Sequence, residues 1–336
     1  MKKHFLFSLN GLKKILEDAQ PTKLCLVVPE ALTTTLRWAI RKIQNFSPQS
    51  PELVLVPDGE KVKEWDQVQT LLMKFFALHL DRYSMVVAMG GSSLTDAVGF
   101  ACSIFKRGIP CIYVPTTLLG QVDGSVGNKA GIDFHGAKNQ IGTFKDPVAV
   151  VIDLRFLKSL SDEQLINGLG EIIKAGLIGD RSILRLLEGK TISQIRSPEV
   201  LMSLIKHSIY VKEKYSKNDP YDLKERQILN FGHTVGHAIE LKHGLGHGMA
   251  VLVGCAQELK IGKKLGITDD SVYPYFLKLI ENLGLKIPTI QFDLREVRQD
   301  KKIQGDHIQL PVVITLGKAK LISLDTSKFI SLLVSS

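Results

Sequence analysis

The sequence lacks three features that would assign it to a special class of protein. It has no run approaching the roughly 18 apolar residues of a membrane span, and its first apolar stretch, HFLFSL, soon meets Gly11 and two lysines. The four cysteines are scattered and form no CxxC pair, which favours reduced core thiols over a disulfide framework. No basic block is interleaved with aromatic residues, as nucleic-acid binding would require. We therefore expect a cytoplasmic protein without leader or anchor, and without a membrane or nucleic-acid partner.

The composition is that of a globular protein. The 336 residues are 44% hydrophobic and 23% charged, close to the average for a chain that folds in water. This length is sufficient for two domains that each bury a core. The net charge of +9 fits either an ordinary basic surface or an anionic ligand.

The first half of the chain alternates short apolar runs with longer amphipathic ones. This alternation is typical of β-α-β units around a parallel sheet. The candidate strands are KLCLVVPE, ELVLVPDGE, SMVVAMGGSS, PCIYVPTT and PVAVVIDL. From about Ser159 the periodicity becomes helical, and a late piece, HIQLPVVITLG, predicts a small hairpin or an edge strand containing Pro311.

These patterns predict an α/β fold with two domains. The first, residues 1–157, would be a Rossmann-like parallel-sheet domain, and the second, residues 158–336, would be mostly α-helical. The strand MVVAM runs directly into GGSSLTDAVGF, a strand-to-helix glycine turn where backbone N–H groups and the helix dipole favour a phosphate. Because it is neither GxGxxG nor GxxxxGK, a nucleotide site and an ordinary turn both stay open.

The segment PTTLLGQVDGSVGNKAGIDFHGAKNQIG carries an unusual density of polar side chains after an apolar strand. Ligands of open α/β sheets bind beyond the carboxyl ends of the strands. Its hydroxyls, carboxylate and ammonium groups would suit a polyhydroxylated anion. The alternative is a solvated loop.

Four histidines crowd into fifteen residues of the segment LNFGHTVGHAIELKHGLGHG. They are His233, His237, His243 and His247. His233 and His237 are spaced to share one face of a helix, and imidazoles with a carboxylate suit Zn²⁺. HExxH is missing, which disfavours a zincin protease. A further ligand must come from elsewhere, and Glu171 is the best-placed carboxylate, although with Lys174 it could instead form a surface pair.

Together these segments resemble the 3-dehydroquinate synthase family over nearly the whole chain. In order they are PDGEKVK, GGSSLTDAVGFACSIFKRGIP, VPTTLLGQVDGSVGNKAGID, GAKNQIGTF, GLGEIIKAGLI, RQILNFGHTVGHAIE, GHGMAV and QDKKIQG. The most specific are PTTLL-QVD-SVG-K, KN-IG and LN-GHT-GHA. The resemblance implies a phosphate-eliminating carbon–oxygen lyase of the shikimate pathway, which makes 3-dehydroquinate and phosphate from 3-deoxy-D-arabino-heptulosonate 7-phosphate. It also implies NAD, Zn²⁺ with Co²⁺ as an alternative, and a homodimer.

The resemblance also implies roles for individual residues. The metal ligands would be Glu171, His233 and His247, whereas His237 would face the substrate. The NAD site would comprise Asp58, Glu60, Lys63, Gly90, Gly91, Ser92, Ser93, Leu94, Thr95, Asp96, Thr116, Thr117, Lys129, Lys138, Phe156, Leu157, Lys158 and Ser159. Substrate contacts would be Asp123, Lys129, Asn139, Lys174, Lys212, Arg226, Asn230, His237 and Lys301 or Lys302, with Arg107 reaching a neighbouring subunit's site. The catalytic residues among them would be Lys129, Asn139, Lys174, Arg226 and His237, the last as a proton shuttle.

The sequence departs from the family pattern at three places, and none of them removes an implied ligand. GGSSLTD replaces the usual GGGVIGD, Met249 replaces the glutamate of HGE, and VGNKA replaces VGGK-T. Three alternatives follow. A metal-dependent alcohol or glycerol dehydrogenase would share the glycine turn but lack KN-IG and LN-GHT-GHA. Another sugar phosphate cyclase would use a different substrate, and a non-catalytic descendant that binds an acidic partner would be expected to lose metal ligands first.

Overall fold

The computed structural model describes residues 4–47, 50–288, 290, 303–304 and 306–334, without the side chains of 241–243 and 303–304. The chain divides into two compact units, Met1–Leu160 and Ser161–Ser336. All four cysteines lie in the described part as buried thiols that form no disulfide. The prediction of reduced core cysteines is therefore confirmed.

The first unit contains a six-stranded parallel sheet with the order β1-β8-β5-β4-β2-β3. The strands are β1 (His4–Leu6), β2 (Leu24–Pro29), β3 (Glu52–Val56), β4 (Met85–Gly90), β5 (Cys111–Pro115) and β8 (Ala149–Val151). The helices are α1 (Gly11–Ala19), α2 (Arg37–Gln44), α3 (Trp65–Ala77) and α4 (Ser92–Ile104). Every residue of β2, β4 and β5 is buried, which explains their continuous apolar runs. The predicted parallel sheet is confirmed, and the short β1 extends it by one strand that the sequence patterns did not indicate.

A two-stranded antiparallel ribbon lies outside this sheet, in the polar segment for which the sequence left a ligand-binding stretch and a solvated loop open. It consists of β6 (Lys129–Phe134) and β7 (Ala137–Phe144), with Ile132 opposite Ile141. Its tip uses positive φ angles at His135 and Gly136, as a tight hairpin turn requires. Most of β7 is exposed, so it lacks the apolar alternation from which strands are recognised.

The second unit is mostly helical, as predicted. Its helices are α5 (Asp162–Ile178), α6 (Arg181–Leu187), α7 (Ile192–Ile195), α8 (Pro198–Asn218), α9 (His233–His243), α10 (His247–Lys264), α11 (Val272–Asn282) and α12 (Thr326–Val334). A capping box between Ser161 and Gln164 starts α5, satisfying N–H groups that a helix start leaves open. Among the described residues, no helix is both long and apolar enough to cross a membrane.

A small antiparallel sheet accompanies these helices, in the order β11-β10-β9. Its strands are β9 (Ile303–Gln304), β10 (His307–Thr315) and β11 (Lys318–Asp325). The β10–β11 pairing confirms the predicted hairpin. Pro311 lies opposite Leu321, while β9 pairs only with residues 307 and 308 of β10. The proline is therefore beyond the reach of β9, where its missing N–H costs no ladder hydrogen bond.

Candidate metal centre and nucleotide turn

Glycines allow α5 and α10 to pack in direct backbone contact. A Cβ on Gly170 would lie 2.4 Å from the carbonyl oxygen of Gly248, closer than any side chain permits. Gly248 N–H also donates to the Asn167 side chain of α5, at 3.1 Å. This contact places Glu171, the residue after Gly170, beside His247, the first residue of α10.

The start of α9 is fixed in a similar way. Gly232 precedes α9 with φ +77°, and a Cβ there would lie 2.7 Å from the Cys255 sulfur of α10. Only glycine fits this conformation and this space without strain. His233, the first residue of α9, follows this turn directly. The backbone conformation of Gly232 therefore sets the position from which the His233 side chain extends.

Three ligand atoms from these three helices converge. Those of Glu171, His233 and His247 all lie within 4.8 Å of one another. His247 Nε2 and His233 Nε2 lie 3.1 and 3.2 Å from the same oxygen, Oε1 of Glu171. Metal–ligand bonds of about 2.0–2.2 Å in a tetrahedral zinc site place neighbouring ligand atoms about 3.3 Å apart. The two measured separations agree with the edges of such a site.

The other nitrogen of each histidine faces an acceptor. His233 Nδ1 lies 3.2 Å from the Phe231 carbonyl oxygen, and His247 Nδ1 lies 3.1 Å from Glu240 Oε2. A neutral imidazole that donates from Nδ1 has a lone pair at Nε2. Both lone pairs then point at a carboxylate oxygen, an arrangement that a cation between them makes favourable. The donor set and its supporting hydrogen bonds therefore fit a divalent metal ion.

Lys174 places a positive charge directly beside Glu171. Its Nζ lies 2.5 Å from Glu171 Oε2 and donates to the Leu229 carbonyl at 2.7 Å. Glu171 and Lys174 are both buried, so they are not the surface pair that the sequence left open. Burial would raise the pKa of Glu171, but Lys174 and the two histidines outweigh it and hold that pKa well below its usual range.

The two histidines respond oppositely to this environment. Burial and the Lys174 charge lower the pKa of His233. For His247, burial is outweighed by the carboxylates of Glu171 and Glu240, which raise its pKa to about 10. The centre thus stabilises one added positive charge, either a proton on His247 or a metal ion in its place.

Other predicted site residues of the second unit lie near these ligands in sequence. The His237 ring is exposed and lies 5.0 Å from the His233 ring at 86°. Arg226 is buried and donates to the Pro220 carbonyl at 2.7 Å. Asn230 ends the same short helix, Glu225–Asn230, and Lys212 lies half-buried on α8. Lys301 and Lys302 lie outside the described residues.

In the first unit, the glycine turn after β4 leads into α4 as predicted. Gly91 is extended and precedes the first helical residue, Ser92. A Cβ on Gly124 would lie 2.3 Å from Ser92 Cβ, so the turn at residues 120–124 packs tightly on this helix start. Ser93 donates its hydroxyl to Glu60 at 2.5 Å.

Lys63 joins this turn to the β6–β7 ribbon. Its ammonium group is buried and lies 3.2 Å from Asp96 and 3.8 Å from Asp133. It also pairs with Glu60 at 3.5 Å and donates to the side chain of Asn139. Burial would lower the pKa of Lys63, but Asp96 and the other carboxylates outweigh it and raise that pKa. Several predicted cofactor and substrate residues thus form one network.

The remaining predicted residues of the first unit lie at strand ends and turns. Thr117 follows β5 and accepts a hydrogen bond from Gly120 N–H at 3.0 Å. The exposed ones are Asp58, Lys129, Lys138, Lys158, Ser159 and Arg107, and the buried or half-buried ones are Gly90, Leu94, Thr95, Thr116, Asp123, Phe156 and Leu157. Arg107 follows α4 with φ 65°.

Three supporting residues were missed by sequence reasoning. Gln121 is fully buried and its amide donates to the carbonyls of Pro115 and Asp153, at 3.1 and 3.2 Å. Asp219 accepts the backbone N–H groups of Leu223, Lys224 and Arg226. The third, Glu240, contacts a metal-ligand candidate. Gln121 and Glu240 lie inside the quoted motifs QVD and HAIE, but nothing in their spacing indicates which partner they bond.

Comparisons with known proteins agree with this architecture. The family model "3-dehydroquinate synthase N-terminal" matches residues 53–167, and "3-dehydroquinate synthase C-terminal" matches residues 168–303. The 3-dehydroquinate synthase of Pyrococcus furiosus is 35% identical over 323 residues, covering 94% of this chain and 93% of that protein. That of Sulfolobus acidocaldarius is 38% identical over 280 residues, covering 80% and 79%.

Solved structures share the fold. A 2-deoxy-scyllo-inosose synthase, in complex with carbaglucose-6-phosphate, NAD⁺ and Co²⁺, superimposes with a TM-score of 0.88 at 22% identity, covering 99% of this chain and 96% of that one. ValA, the 2-epi-5-epi-valiolone synthase of Streptomyces hygroscopicus with NAD⁺ and Zn²⁺ bound, gives the same values. An iron-containing alcohol dehydrogenase is more distant, with a TM-score of 0.68 at 13% identity over 99% of this chain and 96% of that one.

Proposed function

This chain belongs to the 3-dehydroquinate synthase family, and we propose that its metal centre and glycine turn serve that family's reaction. The reaction converts 3-deoxy-D-arabino-heptulosonate 7-phosphate to 3-dehydroquinate and phosphate in the shikimate pathway. It makes the enzyme a phosphate-eliminating carbon–oxygen lyase. The observation that carries the proposal is the pair of imidazole nitrogens, of His233 and His247, that face one buried oxygen of Glu171.

We propose that Glu171, His233 and His247 hold Zn²⁺, or Co²⁺ as an alternative. One carboxylate and two imidazoles leave further positions for substrate oxygen, as catalytic zinc sites do. When bound, the metal would supply polarisation of the substrate's C5 oxygen. Lys174 keeps Glu171 ionised and oriented through the contact at its second oxygen.

We propose that residues 1–157 form the NAD-binding domain. The start of α4 offers backbone N–H groups and the positive end of a helix dipole to a pyrophosphate. Ser92, Ser93, Thr116 and Thr117 bring hydroxyl groups to this turn, and Ser92 stands where the family pattern has glycine. The chemistry that NAD would supply is reversible oxidation of the C5 alcohol, so the cofactor is regenerated in each turnover.

The substrate carries a carboxylate and a phosphate, which cationic side chains must neutralise. We assign this role to Lys174, Lys212 and Arg226 of the second unit and to Lys129 of the first. Asp123, Asn139 and Asn230 would hydrogen-bond the hydroxyl groups. His237 is exposed beside His233 and would transfer the hydroxyl proton.

We further propose that the enzyme is a cytoplasmic homodimer. Arg107 is exposed, and the family resemblance assigns its counterpart to the active site of a neighbouring subunit. An arginine offered in this way would add a bidentate anion contact. Substitution of Arg107 by alanine should then raise KM for the substrate, and mixing this variant with a subunit inactivated at His247 should restore part of the activity.

The decisive experiment measures phosphate release from the heptulosonate phosphate by the purified chain, with and without NAD and Zn²⁺, while absorbance at 340 nm is followed. We expect release that needs both additions, without net NADH. Glu171→Gln and His247→Ala should abolish it, whereas His207→Ala, a histidine of the same unit paired with Asp180, should not. Net NADH from simple alcohols would instead identify a dehydrogenase, and no phosphate release would disprove the substrate assignment.

A further inference from the structure

A buried carboxylate on α10 has no part in the chemistry described so far. Glu258 is 1% exposed, and a polar group in such a place is costly unless it is hydrogen-bonded. Its Oε2 accepts the backbone N–H of Gly232 at 2.9 Å. The group it holds is the residue immediately before the ligand candidate His233.

Gly232 is the residue that connects a short helix to α9. The short helix Glu225–Asn230 ends two residues before it, and α9 begins one residue after it. Gly232 has φ +77° and ψ −13°. A small rotation about either of these bonds would move the whole His233 side chain. The hydrogen bond to Glu258 restrains this rotation directly.

The backbone of Gly232 also packs against the face of α10 that carries Glu258. A Cβ on Gly232 would lie 2.8 Å from the Val251 carbonyl oxygen, and a Cβ on Gly254 would lie 1.8 Å from the Gly232 oxygen. Val251, Gly254 and Glu258 follow one another at spacings of three and four residues, which share one helix face. The backbone packing and the hydrogen bond to Glu258 together fix the position of Gly232 against α10.

This face belongs to the helix that begins with His247. One rigid element thus carries one metal ligand at its first residue and holds the backbone of a second through Glu258.

We propose that Glu258 is a positioning residue of the metal centre, which fixes His233 through Gly232 and thereby sets the affinity for the metal. The inference rests on the proposed metal binding by Glu171, His233 and His247. It differs from a purely structural role, in which Glu258 would stabilise the second unit without affecting the metal.

Zinc affinity of the full-length chain, measured by competition with a chromophoric chelator, separates these roles. Glu258→Leu removes the acceptor and should weaken Zn²⁺ binding about 10- to 100-fold, the range for residues that support metal ligands. Glu258→Gln keeps one side-chain oxygen for Gly232 N–H but replaces the second oxygen by an amide NH₂ group, so we expect zinc affinity to fall only a few-fold. Thr268→Val is the matched control, because it removes another buried hydrogen bond of this unit, 2.7 Å to the Val313 carbonyl, and should leave zinc affinity unchanged.

The proposal is wrong if Glu258→Leu binds Zn²⁺ as tightly as the wild type, or if Thr268→Val weakens binding equally. Should Glu258→Leu fail to fold, Glu258→Gln decides, and a zinc affinity of that variant equal to the wild type's would overturn the proposal. A wild-type chain that takes up no Zn²⁺ would instead disprove the metal centre itself, and this inference with it.

Discussion

The Nδ1 atoms of His233 and His247 have different hydrogen-bond partners, and the two partners affect metal binding differently. The Phe231 carbonyl can only accept from His233, whereas the Glu240 carboxylate at His247 also adds negative charge. A carboxylate behind an imidazole makes its other nitrogen a stronger metal ligand and holds the ring in one orientation. Glu240 should therefore matter for metal binding although it is not itself a ligand.

We predict that Glu240→Ala weakens zinc binding about 10- to 100-fold. Glu240→Gln should weaken it less, because its amide oxygen can still accept a hydrogen bond from His247 Nδ1–H. Isothermal titration with Zn²⁺ in a competing buffer measures both affinities. Glu188→Ala is the control, since it removes a carboxylate that bonds Tyr275 at 2.6 Å away from the metal ligands. Equal affinities of Glu240→Ala and the wild type would contradict this assignment.

At the residue scale, the sequence indicated which side chains matter better than it indicated their partners. Spacing alone suggested that His233 and His237 act together, and their rings do lie side by side. The atoms that meet Glu171, however, come from His233 and His247, at the starts of two different helices. That meeting depends on glycine contacts between helices, which no local periodicity encodes.

At the scale of the elements, the contact between α5 and α10 decides whether Glu171 and His247 can share a metal. A Cβ on Gly170 would meet backbone atoms of Gly248 at 2.4 to 2.8 Å, and backbone cannot rotate away as a side chain can. Any residue larger than glycine must push the helices apart, and the ligands with them.

Gly170→Ala should therefore lose both zinc affinity and stability. We expect at least a tenfold weaker Zn²⁺ complex, together with a cost of about 1–3 kcal/mol from overpacking. Gly176→Ala is the matched control on the same helix, because its Cβ would meet the Leu184 and Ile183 side chains of α6 instead. Urea unfolding and zinc titration of both variants test this, and loss of zinc affinity in Gly176→Ala as well would argue against it.

The end of β8 offers a prediction on pH dependence in the first unit. Asp153 accepts from Leu9 N–H at 2.9 Å and from the Arg155 side chain at 2.6 and 2.9 Å. Burial would raise the pKa of this carboxyl, but these hydrogen bonds outweigh it and lower the pKa. A lowered pKa means that the ionised form stabilises the fold above the unfolded-state value of about 3.9, and that this contribution is lost as pH falls through the folded-state pKa.

We expect Asp153→Asn to reduce the free energy of unfolding at pH 7 by about 1–3 kcal/mol, and the difference from the wild type to shrink as pH falls below about 4. Urea titrations at pH 7 and pH 3.5 measure it. Asp270→Asn removes an exposed pair with Lys263 and should change stability by less than about 1 kcal/mol at either pH. A difference that grows towards low pH would show that the sign is wrong.

At the same scale, buried elements were predictable and exposed ones were not. The runs that form β2, β4 and β5 are apolar because both faces of the sheet are covered. The β6–β7 ribbon is hydrogen-bonded through its backbone while much of its surface stays polar. The sequence of the ribbon therefore has the polar composition of a loop, although its strands hold Lys129, Lys138 and Asn139 in place.

At the scale of the whole molecule, the chain has two compact units, Met1–Leu160 and Ser161–Ser336. The change from strand–helix alternation to helical periodicity near Ser159 indicated this organisation, because each unit buries its own core. The ligand proposed for each unit came from the family resemblance, since composition and periodicity do not distinguish a phosphate-binding turn from an ordinary one.

The proposed placement of NAD in the first unit and of the metal ion in the second predicts that the two ligands stabilise the protein independently. A ligand at 100 times its Kd adds about 2.7 kcal/mol to the state that binds it, so Zn²⁺ and NAD should each raise the unfolding temperature of the wild type. His247→Ala should lose the zinc-dependent shift and keep that of NAD. Ser93→Glu, which places a carboxylate beside Glu60 at the helix start, should lose the NAD shift and keep that of Zn²⁺. Differential scanning calorimetry of the three proteins provides the test, and a substitution in one unit that abolishes both shifts would show that the two sites are not independent.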